Sequence, residues 1–258
     1  KCLVNKLSHS SASLYQDCAK KWEYHYRHRL RGKTTSGALL FGSALDAAVS
    51  ATLKDKSVDP KAVFEKHWSL AEINGVTVSI SKSPLVVYAE SDFDWELLTV
   101  EDWTKIHQEY NEPKEQLEKV YDRKEKVGFD GLGESDKILL NWANWLCLRR
   151  KAHLMIEYFQ KEMQPNITEV LGLQVQGHLE NEDGDQVVAY ADIVCRWKGL
   201  DKPVIFDLKT STRRYEEDAV KTSAQLATYT HVFSDKYENT RNAGFLVIHK
   251  TIKKNREK

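Results

Sequence analysis

The stretch Val204–Ser211 reads Val-Ile-Phe-Asp-Leu-Lys-Thr-Ser. Apolar residues that lead into polar ones predict a buried strand reaching the surface at a site. Because side chains alternate along a strand, Asp207 and Lys209 are expected to share one face. Upstream, Ala189–Val194 (Ala-Tyr-Ala-Asp-Ile-Val) places Asp192 inside a second apolar strand. A carboxylate is costly to bury there, and a metal ion is a common way to offset that cost.

Length and composition bound the class of protein. The 258 residues, 41% hydrophobic and 29% charged, indicate one large soluble domain or a core with an insertion. The sequence has no apolar run of the roughly 18 residues that a membrane span needs, and we expect a cytoplasmic protein (host cytoplasm if viral) with no signal peptide. Four scattered cysteines without a Cys-x-x-Cys pair argue against a zinc knuckle or a disulfide framework.

The charge distribution is uneven although the net charge is zero. Residues 89–136 hold 15 acidic and 6 basic residues, a net charge of −9, which leaves +9 on the remainder. A basic body with an acidic insertion is compatible with a DNA-binding groove. One hypothesis is that the acidic segment covers that groove.

The N-terminal third is predicted to be helical. A first helix over Ser8–Arg31 would be capped by Ser10 or Ser11. Residues 32–42 are expected to form a loop, and a second helix is expected from Ser43, with Asp46 in its first turn.

The remaining elements give a predicted domain layout. We expect N-terminal helices over residues 1–53, a mostly helical acidic insertion over 54–136, and a core over 137–258 that contains the strands of Asp192 and Asp207. Within that core, a long helix precedes a meander of three strands that brings Asp192 and Asp207 side by side. A helix over residues 218–233 then places Gln225 and Tyr229 one turn apart, and a last strand covers residues 244–249.

Cations and aromatic residues alternate between Lys20 and Arg31. One interpretation is a solvated helix face, and the other is phosphate contact combined with base stacking. The candidate nucleic-acid contacts are Lys20, Lys21, Arg27 and Arg29, together with Thr210 and Ser211 at the end of the Asp207 strand.

Two aspartates on adjacent strands, with a lysine two residues past the second, are suited to phosphodiester hydrolysis. Carboxylates bind Mg²⁺ or Mn²⁺, which polarises a phosphate and lowers the pKa of a bound water. Lys209 can orient that water or neutralise charge in the transition state.

Five ordered motifs resemble the PD-(D/E)XK nuclease superfamily, specifically its RecB-like/Cas4-like exonuclease branch, which includes phage recombination nucleases. They are the run from Ser10 through Cys18 with Trp22 and Tyr24, Gly42–Asp46, Tyr190-Ala191-Asp192, Asp207–Ser211, and Gln225-Leu226-Ala227-Thr228-Tyr229.

The resemblance implies a fold and a set of roles. The fold would be α/β, a restriction-endonuclease-like mixed sheet flanked by helices, with an N-terminal helical region and a helical insertion. Asp192 and Asp207 would be metal ligands, with the Leu208 carbonyl a further ligand, and Lys209 would be the catalytic lysine. Gln225 and Tyr229 would lie beside the scissile phosphate. Glu169 is an additional acidic candidate.

Two departures from the family pattern concern metals. Asp46 stands where the family often has histidine, and its carboxylate is a candidate ligand for Mg²⁺ or Mn²⁺. Many Cas4-like members bind an iron–sulfur cluster through one N-terminal and three C-terminal cysteines. No cysteine follows Cys195, so no cluster is expected.

The predicted function is a metal-dependent DNA nuclease, most simply an exonuclease acting on ends in recombination, repair or phage replication. A single-strand annealing or recombination protein is a candidate partner. Three alternatives stay open: a catalytically silent nuclease fold that binds DNA or protein, a structure-specific endonuclease, and a binding module in which the aspartates form a structural cluster.

Overall fold

A computed structural model describes residues 6–87, 97–211 and 217–250. The strands are β1 (Lys6–Ser8), β2 (Thr35–Ser36), β3 (Leu70–Ile73), β4 (Val76–Ser79), β5 (Val86–Val87), β6 (Ile167–Glu180), β7 (Gln186–Trp197), β8 (Val204–Ser211) and β9 (Asn242–His249). The helices are α1 (His9–Asp17), α2 (Ala19–Trp22), α3 (Gly37–Lys54), α4 (Pro60–Ser69), α5 (Val100–His107), α6 (Pro113–Val127), α7 (Glu134–Tyr158), α8 (Glu217–Lys221) and α9 (Ala224–Phe233). Short π-helical turns cover Glu23–Arg27 and Phe159–Met163, and a 3₁₀ turn covers Gln164–Asn166.

The described residues form two compact units. The first lies within Lys1–Arg31, Leu53–Lys56 and Phe159–Ile248, and the second within Gly32–Thr52, Ser57–Tyr158 and His249–Lys258. Across the part of the chain that is described, no helix is both long and apolar enough to cross a bilayer. The boundaries at residues 53 and 136 remain a prediction.

A five-stranded mixed sheet organises the first unit. β7 pairs antiparallel with β6 over nearly its whole length. On its other edge it pairs antiparallel with β8 through Ile193–Cys195 and parallel with β1 through Gln186–Val188. β9 is hydrogen-bonded to the far edge of β8. The α/β fold class and the three-strand meander are therefore confirmed.

Helix α9 covers the sheet through an apolar layer. Leu226, Tyr229 and Phe233 are buried against residues of β7 and β8 such as Ala191 and Ile205. The contact with β6 depends on Gly177, because a Cβ there would lie 2.6 Å from both Phe233 Cε1 and Val232 Cγ1. The absence of a side chain at this position lets the helix approach the strand.

The second unit is mainly helical. Phe41, Phe64 and Trp68 pack with ring centroids 5.7–5.8 Å apart. A further apolar core joins α5, α6 and α7, and includes Ile106, Leu117 and Leu140. Helix α4 begins at Pro60, with Asp59 as its cap.

Three predicted boundaries were wrong. The predicted loop at residues 32–42 is partly helical, because α3 already begins at Gly37. This helix contains Phe41, which is buried against Phe64. Tertiary packing here outweighs the low helix propensity of Gly42, and Asp46 lies mid-helix rather than in the first turn. The predicted helix over residues 218–233 is divided into α8 and α9, where Ser223 caps α9.

The predicted helix over Ser8–Arg31 is broken at Cys18. The Cys18 backbone is extended (φ −159°), and its Sγ accepts a hydrogen bond from the Lys21 amide. Ser8, rather than Ser10 or Ser11, caps α1. Ser11 is buried instead and its hydroxyl accepts a hydrogen bond from Trp22 Nε1 at 2.8 Å.

Candidate active site

The candidate site forms where β8 separates from β7. The ladder between them ends at the pair Ile193–Phe206, so Asp192 and Asp207 are the first residues beyond it. The Leu208 amide, which would otherwise continue the ladder, donates a hydrogen bond of 2.7 Å to Asp192 Oδ2. A side chain thus satisfies a backbone donor that the separating strands leave unpaired.

Asp207 is buried, with 4% of its surface exposed. Its Oδ1 accepts hydrogen bonds from Gln225 Nε2 at 2.6 Å and from the Tyr229 hydroxyl at 2.8 Å. Its Oδ2 lies 2.6 Å from Lys209 Nζ, in an ion pair that lacks hydrogen-bond geometry. Oδ1 is therefore held in place by two neutral hydrogen-bond donors, whereas Oδ2 contacts the ammonium group of Lys209.

Asp192 is half-buried, and its surroundings disfavour the charged form of its carboxyl group. Burial raises the pKa of its carboxyl group, and the charge of Asp207 raises it further, while the Leu208 amide and Lys209 oppose the shift. The two carboxylates therefore repel each other across the separated strands. A bound cation would relieve that repulsion.

Helix α9 supplies the donors to Asp207. Gln225 and Tyr229 are four residues apart, and Gln225 Nε2 lies 2.9 Å from the Tyr229 oxygen, so both side chains project from one side of the helix. Burial, and secondly the charge of Asp207, raises the pKa of the Tyr229 phenol. Tyr229 therefore stays protonated at neutral pH and donates its hydrogen bond to the carboxylate.

These residues fit a divalent cation of the Mg²⁺ type. Both carboxylates offer oxygen, the ligand atom that hard cations prefer, and Asp207 Oδ2 accepts no hydrogen bond from any described residue. Among the described residues, no group of three or more Asp, Glu, His or Cys is arranged to hold a metal. Water or phosphate oxygens would complete the coordination, as Mg²⁺ commonly requires.

A cleft of about 610 Å³ opens beside this cluster. Lys209, Gln225 and Tyr229 line it, together with Ser10, Ser13 and other residues of α1. The side chain of Lys209 is one-third exposed, so it can meet a ligand that enters the cleft. The arrangement places Lys209 and the two hydrogen-bond donors of Asp207 at an open cavity.

The sequence prediction of the central cluster agrees with this geometry: Asp192, Asp207, Lys209, Gln225 and Tyr229 are linked by hydrogen bonds, an ion pair and mutual repulsion. Their catalytic roles remain predictions, as do the metal-ligand roles of the Leu208 carbonyl and of Asp46. Asp46 is half-buried on α3 in the second unit.

Glu169 does not belong to the cluster. It forms an ion pair of 3.1 Å with Arg196, its neighbour across the ladder. Arg196 lies four residues beyond Asp192 on β7, a distance of about 13 Å along the strand. Arg196 also pairs with Glu238, which identifies Glu169 as part of a surface ion-pair network.

The predicted nucleic-acid contacts occupy two places. Lys20, Lys21, Arg27 and Arg29 are exposed on α2 and the turns that follow it. Lys20 pairs with Glu23 at 2.7 Å, and Arg29 has a positive φ of 55°. Thr210 and Ser211 are half-buried at the end of β8. Binding by these six residues remains a prediction.

Two residues near the cluster, Gln174 and His9, were not identified from the sequence. Gln174 lies on β6 opposite Asp192, with its Nε2 3.4 Å from Asp192 Oδ1 and an unusual φ of 49°. His9 lines the cleft, as does Tyr190 of the Tyr190-Ala191-Asp192 motif. No local signal in the sequence marks Gln174 or His9.

Comparison with known proteins agrees with the fold. The family model of the PD-(D/E)XK nuclease superfamily matches residues 6–258, nearly the whole chain. No curated protein matches the chain significantly. The match covers both units and all five motifs, and it does not distinguish branches within the superfamily. The chain therefore belongs to the PD-(D/E)XK nuclease superfamily.

Proposed function

We propose that this protein is a Mg²⁺- or Mn²⁺-dependent deoxyribonuclease of the RecB-like/Cas4-like branch, which acts as an exonuclease at DNA ends in recombination, repair or phage replication. The observation that carries the proposal is the pair Asp192 and Asp207, set beside Lys209 where β8 leaves β7. Family membership supplies the reaction class, and the cleft supplies access to the cluster.

Each residue of the cluster would contribute to one step, the attack of water on a phosphodiester and the departure of the leaving oxygen. A bound cation would supply a water of lowered pKa and polarise the phosphate. Asp192 and Asp207 would bind this cation through their carboxylate oxygens. Lys209 would stabilise the charge that develops on the phosphate oxygens. Gln225 and Tyr229 would keep Asp207 in position through their hydrogen bonds to its Oδ1.

The decisive experiment combines substrate shape, metal and a matched variant. End-labelled linear DNA and closed circular DNA would be incubated with Mg²⁺, Mn²⁺ or EDTA. Wild type would be compared with Asp207→Asn and with Asp102→Asn, a variant of an equally buried aspartate in the second unit. We expect metal-dependent loss of linear DNA alone, abolished only by Asp207→Asn.

Other outcomes separate the alternatives. Cutting of circles would replace the exonuclease with an endonuclease. DNA binding without cleavage under any metal condition would identify a catalytically silent nuclease fold. A thermal-melting series adds a readout independent of turnover: Mg²⁺ should raise the melting temperature of wild type and raise that of Asp207→Asn less, because a cation bound to the folded state stabilises it.

A further inference from the structure

Helix α1 separates two cavities of the first unit. Ser10, Ser13 and Asp17 face the cleft that contains Lys209. Ala12, Tyr15 and Gln16 face a second cavity of about 860 Å³, which we call the aromatic groove. It is lined by Leu7, Ala12, Tyr15, Gln16, Ala19, Lys20, Trp22, Glu23 and Arg27. At 3.6 residues per turn these two sets lie on opposite faces of α1, so the groove is about one helix diameter, ~10 Å, from the cleft.

The two aromatic residues that line the groove, Tyr15 and Trp22, belong to a set of packed rings. Trp22 is anchored by the hydrogen bond from its Nε1 to Ser11 Oγ. The Tyr15 ring packs edge-on against it, with centroids 5.5 Å apart and an interplanar angle of 87°. Tyr26 packs on Trp22 at 5.9 Å. Tyr15 is nevertheless 56% exposed, so its ring is oriented by packing but remains accessible.

The surroundings of these rings are basic. Residues 15–31 contain five Lys or Arg and two Asp or Glu, a net charge of +3 in a chain whose net charge is zero. Lys20 and Arg27 line the groove itself. An exposed aromatic ring beside cations suits a ligand that has both flat apolar faces and negative charge.

Unpaired nucleotides have this combination, because every base has a π-face and every linkage carries a phosphate. In a duplex the base faces are stacked on one another and are not available to a tyrosine. A groove of this chemistry is therefore expected to favour single-stranded over double-stranded DNA.

We propose that the aromatic groove binds single-stranded DNA, with a base stacked on Tyr15 and phosphates contacted by Lys20 and Arg27. The inference rests on the proposed function in one respect: the strand held in the groove is the strand that passes α1 into the catalytic cleft. If the groove binds in this way, the protein recognises its substrate by an unpaired DNA end.

The test measures binding without turnover. Fluorescence anisotropy in EDTA would give the Kd for a labelled oligothymidine and for a blunt hairpin duplex. We expect Tyr15→Ala to weaken single-strand binding about 5- to 150-fold, the range for loss of one stacked base, and to leave duplex binding within about twofold. Tyr15→Phe should bind like wild type, because the ring remains.

Two further variants distinguish stacking from unrelated effects. Tyr158→Ala removes a tyrosine of similar exposure, 49%, from the second unit and should change neither affinity. Arg27→Ala should reduce the salt dependence of single-strand binding by about 0.7 in the log–log slope, the value for one phosphate contact. Should Tyr15→Ala fail to fold, Tyr26→Ala is the second variant and is expected to show the same preferential loss on single strands.

Several results would overturn the inference: no single-strand binding by wild type, equal losses on both DNAs, or no loss in Tyr15→Ala. Its failure can be told from failure of the proposed function. A protein that loses single-strand affinity in Tyr15→Ala but cuts no DNA would support the groove and contradict the nuclease. Metal-dependent cleavage together with unchanged single-strand affinity in Tyr15→Ala would support the nuclease and contradict the groove.

Discussion

Asp102 in the second unit and Asp207 in the first are buried to the same degree, with 3% and 4% of their surfaces exposed. Asp102 completes the capping box of α5, where it accepts hydrogen bonds from the Thr99 amide at 3.0 Å and the Thr99 hydroxyl at 2.9 Å. Arg149 lies 3.8 Å from its other oxygen. The local chain thus satisfies this carboxylate.

Asp207 differs from Asp102 in having a second carboxylate, Asp192, as an electrostatic neighbour. Lys209 offsets part of this repulsion. Burial alone therefore does not distinguish a structural acid from one that we propose to bind a cation. The distinguishing feature is a pair of acids that repel each other on strands that have separated.

The largest expected effect is the loss of cleavage in Asp207→Asn. We expect the rate to fall on the order of 10³-fold, the scale for losing a preorganised electrostatic contact to the transition state. Single-turnover digestion of end-labelled DNA measures it. Asp102→Asn is the matched control and should cut DNA at the wild-type rate. A comparable loss of cleavage rate in both variants would show that the two buried acids do not differ in role.

Tyr229→Phe should produce an intermediate effect. It removes the hydroxyl that donates to Asp207 Oδ1 but keeps the ring in the core. We expect kcat to fall about 10- to 100-fold, the usual cost of losing a residue that orients a metal ligand. Steady-state kinetics with a circular-dichroism melt would check it. Wild-type kcat in a folded variant would show that Gln225 alone positions the carboxylate.

Asp102→Ala should affect stability rather than catalysis. Loss of the capping box leaves the Thr99 amide without its acceptor and should lower the free energy of unfolding by about 1–2 kcal/mol. Urea denaturation measures this loss. An impaired cleavage rate in the folded variant would show that Asp102 is not the purely structural acid that its contacts indicate.

The smallest expected effect is a pH dependence of stability caused by Asp192. Because its pKa in the folded protein is raised above the ordinary value of 3.8, the folded state retains a proton that the unfolded state loses just above that pH. The contribution of Asp192 to the free energy of unfolding is thus greatest below that value and declines as pH rises through the raised pKa.

The variant Asp192→Asn cannot ionise, and its stability relative to wild type should increase as the pH rises from below 3.8 through the raised pKa of Asp192. Urea titrations in EDTA at several pH values measure this difference. A difference that is constant with pH would mean that folding does not raise the pKa of Asp192.

The sequence predicted the structure correctly where the alternation of residues and the order of the motifs indicated the same elements. The alternating residues of β7 and β8 predicted two strands, and the spacing of Gln225 and Tyr229 predicted one helix face. Three features depended on distant packing instead. Cys18 interrupts the predicted helix over Ser8–Arg31, Gly42 lies within α3 rather than in a loop, and Gln174 adopts a positive φ in the middle of a strand.

The close approach of α9 to β6 at Gly177 has a consequence for how activity can be adjusted. Tyr229 lies one turn before Phe233, the residue that a side chain at position 177 would strike. Position 177 therefore acts as a spacer between the strand and the helix that carries Gln225 and Tyr229. Alanine or serine there would displace the donors of Asp207 in graded steps while every residue of the cluster stayed unchanged, so catalytic rate could be tuned by mutation at a position outside the cleft.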